Sequence, residues 1–235
     1  MNHIRKPQIT LIFSNFRFEK GINFFILNER SFIMYIDKEE MKQKNSKREA
    51  IIEAAVKVFA KKGFYNAKVN DVAKAAGVAD GTIYLYFKNK DDLLINLFED
   101  KMDHILNRFA AGLQNIHDPI EKLKTFIHVY FTLIEEDQQL AEVFQVELRQ
   151  SAKFLKDYHN QKFLDYLNII AGIVDEGKRE GFFRPTLHTD IIKLMIFGAI
   201  DEVARQWILG ADDKYSLEQA SQELSRTIVD GLLAS

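Results

Sequence analysis

Cysteine is absent from this 235-residue chain, which excludes disulfide bonds and thiolate chemistry. The chain also lacks an uninterrupted apolar run of the roughly 18 residues that a membrane-spanning helix needs. Charges at Arg5, Arg17 and Lys20 break the apolar N-terminal stretch, which therefore does not resemble a secretory signal peptide. We expect a cytoplasmic protein with no membrane partner.

The motifs of common enzyme classes are missing as well. The six histidines include no His-x-x-x-His pair, and none follows a glutamate by three residues, so the helical di-iron pattern is excluded. No glycine-rich phosphate-binding loop occurs. We therefore expect no catalytic residue, no metal and no cofactor, and the sequence argues against an enzyme.

The net charge of −2 conceals an uneven distribution along the chain. Residues 41–90 hold 11 Lys and Arg against 4 Asp and Glu, a net charge of +7. Residues 91–235 hold 15 against 25, a net charge of −10. A basic segment joined to an acidic body is typical of a protein that binds a polyanion such as DNA, and a merely lysine-rich surface is the alternative.

Helical periodicity dominates from Ser46 onward, and strand alternation is absent. Capping boxes at Ser46–Glu49 and Ser216–Gln219 mark the first and last helices, and Asp118 before Pro119 marks another start. The expected fold class is all-α. The pattern predicts about nine helices, at residues 46–62, 69–76, 80–86, 90–114, 118–136, 139–150, 153–180, 190–209 and 216–233.

Residues 1–40 differ from the rest because they are rich in aromatics but have no clean helical or strand period. The codons for Lys38, Glu39 and Glu40 could form a ribosome-binding sequence before Met41. One hypothesis is therefore that translation starts at Met41, and a short appended arm is the alternative. We predict an atypical extension at 1–40, a helix-turn-helix DNA-binding domain at 41–90, and a helical ligand-binding and dimerisation domain at 91–235.

Residues 69–88 meet the requirements of a helix-turn-helix. Ala73 is the small residue needed where the two helices cross, and Gly77 supplies the positive φ that the turn requires. A helical hairpin inside a bundle is the alternative. Apolar residues that would hold the motif to the first helix are Val72, Ala76, Val78 and Ile83.

The third helix would be the recognition helix, with Ile83 and Phe87 facing inward. Thr82 can meet a base edge or a phosphate, and tyrosine hydroxyls can reach phosphates. The basic residues near helix starts suit phosphates, although each lysine could equally be a solvated charge. Partial core packing is the alternative for both tyrosines, and it is weighed more heavily for Tyr84 than for Tyr86. The candidate DNA-binding residues are Lys47, Arg48, Lys68, Gly81, Thr82, Tyr84, Leu85, Tyr86 and Lys90.

The run from Ala73 to Leu94 resembles the signature of the TetR family of transcription regulators. It contains Ala-Gly-Val, then Gly-Thr-Ile-Tyr-Leu-Tyr-Phe, then Lys-Asp-Asp-Leu. The resemblance implies a dimeric repressor that binds double-stranded DNA through this segment and an effector through its helical body. Ala67 and Lys68 stand where the family often has two threonines, so a capping threonine is replaced by a lysine.

Two further runs, at 147–151 and 195–202, are similar to the fatty-acid-degradation repressors of this family. That similarity extends from Met41 to the end of the chain. It implies repression of β-oxidation genes and release from DNA by long-chain acyl-CoA, which would be an effector and not a cofactor. A repressor that senses another apolar molecule or a drug is the alternative.

On this resemblance, aromatic and leucine side chains would line the effector pocket, and Arg149 would meet the polar head of the ligand. An ion pair with Glu147, Asp201 or Glu202 is the alternative for Arg149. The candidate ligand-binding residues are Phe109, Tyr130, Phe144, Leu148, Arg149 and Tyr166. The last two helices would form a homodimer interface, and a buried pair of core helices is the alternative. The predicted interface residues are Ile191, Leu194, Met195, Gly198, Ala199, Glu202, Trp207, Leu224, Ile228 and Leu232.

Overall fold

The computed structural model describes residues 22–23, 36–148, 161–210 and 215–234. The chain divides into two compact units, Met1–Arg48 and Glu49–Ser235. In the first unit, strand β1 (Ile22–Asn23) pairs antiparallel with strand β2 (Ile36–Asp37), with Ile22 opposite Asp37. This short ladder was not predicted from the sequence.

Helices dominate the described residues, which confirms the all-α class. A π-helical turn, Val143–Glu147, follows α6 directly. None of the described helices is long and apolar enough to cross a bilayer. The nine α-helices of this part of the chain are α1 (Lys38–Lys62), α2 (Val69–Ala76), α3 (Asp80–Ile83), α4 (Lys90–Leu113), α5 (Pro119–Glu136), α6 (Gln138–Glu142), α7 (Gln161–Arg179), α8 (Thr189–Ile208) and α9 (Leu217–Leu232).

The predicted start of the first helix at Ser46 was wrong. Helix α1 begins at Lys38, so Ser46 lies inside the helix and caps nothing. Apart from Asn45, the residues between these positions are good helix formers, and none is Gly or Pro, so the helix extends past the capping signal. The third helix is shorter than predicted and ends at Ile83, although the Phe87 amide still donates to the Ile83 carbonyl at 3.0 Å.

Other helix boundaries confirm the sequence signals. The Asp118 carboxylate accepts from the Ile120 amide at 2.7 Å, with Pro119 in the first turn of α5. Ser216 and Gln219 form the reciprocal capping box of α9, at 3.1 and 2.9 Å. Each of these side chains satisfies amide groups that have no partner inside the helix.

The predicted helices at 139–150 and 153–180 are only partly covered by the described residues. The first is found as α6 and the π-turn, and the second as α7 from Gln161 onward. Residues 149–160 lie outside the described part of the chain.

The hydrophobic core of the second unit is centred on α5, which packs against α4, α7 and, most extensively, α9. Phe109 of α4 stacks on Phe126 of α5 with ring centroids 4.6 Å apart, and both rings are fully buried. The same cluster of buried side chains includes Ile51 and Phe59 of α1. The helix-turn-helix and the helical body of this unit therefore share one continuous core.

Of the two helices predicted to form the dimer face, α8 has an exposed apolar surface. Ile191, Leu194 and Met195 are exposed there, at 63%, 54% and 46%. The prediction was wrong for Ile228 and Leu232 of α9, which are buried within the chain. The apolar stripe of α9 packs on α5, and only its polar face is left outside.

Candidate DNA-binding surface and effector cavity

The helix-turn-helix is built by α2, a tight turn and α3. Gly77 adopts φ 68°, and the Val78 amide returns to the Ala73 carbonyl at 3.0 Å. Ala73 is fully buried beside Val72, and Ile83 packs into the same core. The positions chosen from the sequence as the crossing residue, the turn glycine and the inward apolar residues therefore have those roles.

Lys68 is the N-cap of α2, where a lysine stands in place of a capping threonine. Lysine has no acceptor to offer the Asp71 amide, and that amide donates to the Lys68 carbonyl at 2.9 Å. The Asp71 carboxylate accepts from the Lys68 amide at 3.0 Å, which is the other half of a capping box. Asp71 also pairs with Lys62 at 2.8 Å. The hydrogen bond from Lys62, followed by that from the Lys68 amide, lowers the pKa of Asp71 below its ordinary value. The Lys68 side chain is exposed.

The candidate recognition residues differ in exposure. Leu85 and Tyr84 are 77% and 59% exposed, Gly81 is exposed and Thr82 is half-buried. Tyr86 is partly buried against the core beside Phe87. Sequence reasoning favoured Tyr86 over Tyr84 as a DNA contact, and exposure ranks the two tyrosines in the opposite order.

Lys90, a candidate phosphate contact, makes three hydrogen bonds inside the protein. Its Nζ donates to the carbonyls of Phe64 at 2.6 Å, Tyr65 at 3.1 Å and Ala67 at 3.0 Å. It also lies 4.6 Å from the centroid of the Phe64 ring. Burial lowers the pKa of Lys90. Its three protons thus anchor the turn between α1 and α2, a role that sequence reasoning missed.

The remaining basic candidates, Lys47 and Arg48, lie on α1 within the first unit. Lys47 is exposed and Arg48 is half-buried. Contact of any of these residues with DNA remains a prediction.

The second unit contains a cavity of about 1240 Å³. Five of the six candidate ligand-binding residues line it: Phe109, Tyr130, Phe144, Leu148 and Tyr166. Arg149, the sixth, lies outside the described residues. Apolar lining residues outside the six candidates are Ile52, Phe98, Met102, Ile105, Leu133, Ile134, Leu140, Ala141, Phe163 and Phe197.

A polar cluster interrupts the apolar wall. The Gln145 amide nitrogen donates to Asp201 at 2.7 Å and to the Tyr130 hydroxyl oxygen at 2.8 Å, and that hydroxyl lies 3.3 Å from Asp201. Gln145 and Asp201 are each 7% exposed. The three residues come from the π-turn, α5 and α8, and so no local sequence spacing could have grouped them.

Tyr166 lies in the same wall among aromatic rings. Its centroid is 5.5 Å from those of Phe109 and Phe126 and 6.0 Å from that of Phe197. Its buried hydroxyl has no hydrogen-bond partner among the described residues. Burial, and secondarily the charge of Asp201, raise the pKa of Tyr166 well above its ordinary value, so the hydroxyl stays a neutral donor.

The rim of the cavity is predominantly acidic. Lys101 and His104 are its basic residues within the described part of the chain, and Lys101 is paired with Glu53. No group of three His, Asp or Glu in the described ranges could hold a metal ion. The acidic rim residues are Glu49, Glu53, Asp100, Asp103, Glu136, Asp137 and Glu202.

Relatives with this arrangement are transcription regulators. The chain is 43% identical over 192 residues to the fatty acid metabolism regulator protein of Bacillus subtilis (strain 168), which covers 82% of this chain and 98% of the relative. It is 27% identical over 198 residues to the HTH-type transcriptional repressor KstR2 of Mycolicibacterium smegmatis, with 82% and 94% covered.

Solved structures agree with these relatives. The transcriptional regulator FadR from Bacillus subtilis in complex with stearoyl-CoA matches with a TM-score of 0.73 and 42% identity, over 78% of this chain and 98% of that one. The fatty acid degradation regulator FadR from Bacillus halodurans matches with a TM-score of 0.71 and 39% identity, over 78% and 94%.

Two family matches cover most of the second unit. Residues 98–231 match the family described as YsiA-like protein, C-terminal region. Residues 51–97, which contain the helix-turn-helix, match the family described as bacterial regulatory proteins, tetR family. The chain therefore belongs to the TetR family of DNA-binding transcription regulators.

Proposed function

We propose that this chain is a dimeric repressor of fatty-acid-degradation genes that long-chain acyl-CoA releases from DNA. The observation that carries the proposal is its large apolar cavity, in a chain 42% identical to a regulator crystallised with stearoyl-CoA. The cavity of about 1240 Å³ exceeds the roughly 300–1,000 Å³ of common small-molecule pockets, which suits a long acyl chain. The five described candidate residues around it would contact that chain.

The proposed DNA-binding domain comprises residues 41–90. Exposed side chains on and after α3 support this assignment, since Leu85 can meet a thymine methyl and Tyr84 a phosphate. The net charge of +7 over these residues supplies attraction to DNA that does not depend on sequence.

Dimerisation is proposed to occur through α8. Ile191, Leu194, Met195 and Gly198 follow helical spacing and are all exposed. A second copy would bury this apolar stripe against its own, with the glycine allowing close approach. Two copies would also place two recognition helices in successive major grooves, as a helix-turn-helix repressor requires.

Release from DNA is proposed to be a shift between two conformations. Acyl-CoA would bind more tightly to a conformation in which the recognition helices no longer match the groove spacing. Helix α4 runs from the turn that Lys90 anchors to the cavity wall at Phe98 and Phe109, and so it can carry the movement. The role is regulatory rather than catalytic, and we place it in the cytoplasm, where bacterial DNA lies.

A second candidate function is favoured by the acidic rim of the cavity. Four of the seven rim carboxylates form ion pairs: Glu53 with Lys101, Asp103 with Lys162, Glu136 with Arg108 and Glu202 with Arg205. The negative charge that these pairs leave at the opening favours a cationic apolar molecule and disfavours the phosphates of CoA. A TetR-family sensor of cationic drugs would have such an opening. On the acyl-CoA proposal, the phosphates extend beyond the rim into solvent.

A thermal-shift comparison distinguishes the two candidates. A ligand present at 100 times its dissociation constant stabilises the folded protein by about 2.7 kcal/mol. We expect palmitoyl-CoA to raise the melting temperature, and CoA alone or a quaternary ammonium drug to leave it unchanged. Stabilisation by the drug and not by palmitoyl-CoA would support the second candidate.

A further inference from the structure

The π-turn Val143–Glu147 contacts both functional regions of the second unit. Phe144 and Gln145 of this turn line the cavity, and so does Leu148, the residue after it. Glu147 points instead to the turn that follows α1 and leads to α2. A π-turn inserted into helical structure is often found at functional sites.

The contact made by Glu147 is specific and buried. Its Oε2 accepts from the Phe64 amide at 2.5 Å, and the residue is 6% exposed. The carboxylate also lies against Gly63, where an added Cβ would be 3.6 Å from Oε2. Burying a carboxylate costs free energy unless it accepts hydrogen bonds. The bond from the Phe64 amide offsets this cost, and it links two segments that are 83 positions apart in the sequence.

The backbone of Phe64 is therefore held on both sides of its Cα. Glu147 binds its N–H, while Lys90, the first residue of α4, binds its carbonyl at 2.6 Å. The π-turn reaches α4 a second time, because Phe144 packs on Phe98 with centroids 5.1 Å apart. Through these contacts, a movement of the π-turn would displace the segment that leads into the helix-turn-helix.

We infer that Glu147 is the positioning residue through which occupancy of the cavity changes the conformation of the DNA-binding helices. The inference rests on the proposed function and adds the route of regulation. A ligand that presses on Phe144 or Leu148 displaces the turn between them. Returning this turn to α-helical hydrogen bonding would rotate the Glu147 side chain away from Phe64, since one residue of an α-helix turns through about 100°.

Removal of the Glu147 carboxylate should then shift the balance between the two conformations. Loss of the bond to Phe64 weakens the DNA-binding conformation relative to the ligand-binding one. The Glu147→Ala variant should bind palmitoyl-CoA about 10-fold more tightly in the absence of DNA and bind promoter DNA more weakly. Glu147→Gln keeps an acceptor but loses the charge, so we expect smaller changes in the same directions.

Opposite changes in the two affinities identify coupling, because a merely unfolded variant loses both. Glu135→Gln is the matched control: this exposed glutamate lies on α5 and does not line the cavity. Both of its affinities should equal those of the wild type. Both dissociation constants are measured on full-length protein by fluorescence anisotropy and calorimetry, with circular dichroism to verify folding.

Unchanged affinities in both Glu147 variants, or a parallel loss of both, would overturn the inference. Tighter DNA binding together with weaker ligand binding would contradict the inferred loss of this bond when the ligand binds. If wild-type protein neither binds palmitoyl-CoA nor leaves DNA in its presence, the proposed function fails together with the inference. If palmitoyl-CoA releases the wild-type protein from DNA, but the Glu147 variants change both affinities in the same direction, the inference alone is rejected and the proposed function stands.

Discussion

At the scale of single residues, the turn between α1 and α2 depends on side chains that come from outside it. Lys90 uses its three protons on backbone carbonyls of this turn, and Glu147 binds the Phe64 amide. These groups would otherwise have to find water or remain unsatisfied. The orientation of α2 is thus set by long-range bonds as well as by its own packing.

Replacing Lys90 with methionine keeps the apolar stem and removes all three hydrogen bonds. We expect Lys90→Met to lower the free energy of unfolding by about 1–3 kcal/mol, as urea denaturation would show. Lys88→Met is the matched control, because Lys88 is exposed two residues earlier, and its effect should stay within about 0.5 kcal/mol. Equal effects of the two substitutions would argue against the structural role of Lys90.

Residue types were easier to predict from the sequence than their partners. The five described aromatic and leucine candidates do surround one cavity, because bulky apolar side chains of a helical body face its interior, where this cavity lies. Lys90 was expected at a phosphate, since a lysine at a helix start gives no sign of which acceptors lie near it. Gln145 and Asp201 were missed because their contact depends on tertiary packing alone.

At the scale of secondary-structure elements, α7 contains two glycines with opposite roles. Gly172 is exposed, and nothing lies within 4 Å of an added Cβ. Gly177 is buried, and a Cβ there would overlap the ring of Phe183. The Phe183 ring, itself fully buried, occupies the space left by the missing side chain. Gly172 therefore only lowers the stability of the helix, whereas Gly177 is required for the packing of Phe183.

The same substitution at these two positions should have effects of opposite sign. Gly172→Ala should raise the free energy of unfolding by about 0.5–1 kcal/mol, through helix propensity. Gly177→Ala should lower it by about 1–3 kcal/mol, because Phe183 must move. Thermal unfolding of both variants beside the wild type measures this difference. Destabilisation by both, or by neither, would contradict this packing of α7.

Helix boundaries agreed with the sequence where no run of helix-forming residues preceded the capping residue. Asp118 and Ser216 start their helices as predicted, whereas Ser46 is passed over because good helix formers precede it. The π-turn was predicted as ordinary helix, because five residues are too few to show a periodicity of their own in the sequence. The element that we infer to couple the two sites was therefore the one that periodicity could not distinguish.

At the scale of the whole molecule, function was readable from the charge asymmetry and the helix-turn-helix pattern together. These features are properties of the chain itself and need no tertiary detail. Only one of the two helices predicted for the dimer surface has an exposed apolar face. The sequence of an amphipathic helix does not show which neighbour covers its apolar side. Helix α9 turns that face to α5, while α8 keeps an exposed apolar stripe.

A charge placed in the α8 stripe should separate the proposed dimer. Leu194→Glu should yield a folded monomer in analytical ultracentrifugation and weaken promoter binding, because one module reads too few bases. Leu85→Glu, at an exposed leucine beside α3, should stay dimeric while losing DNA binding. A Leu194→Glu protein that remains dimeric would exclude this stripe as the interface.

The central claim is that one molecule binds specific DNA and releases it when a long-chain acyl-CoA enters the cavity. Fluorescence anisotropy of the full-length protein on its own promoter and on a random duplex, with and without palmitoyl-CoA, tests both parts at once. We predict tight binding to the promoter, weak binding to the random duplex, and loss of the promoter complex on adding palmitoyl-CoA. Specific binding that palmitoyl-CoA leaves unchanged would contradict the effector assignment, and equal weak binding to both duplexes would contradict the repressor itself.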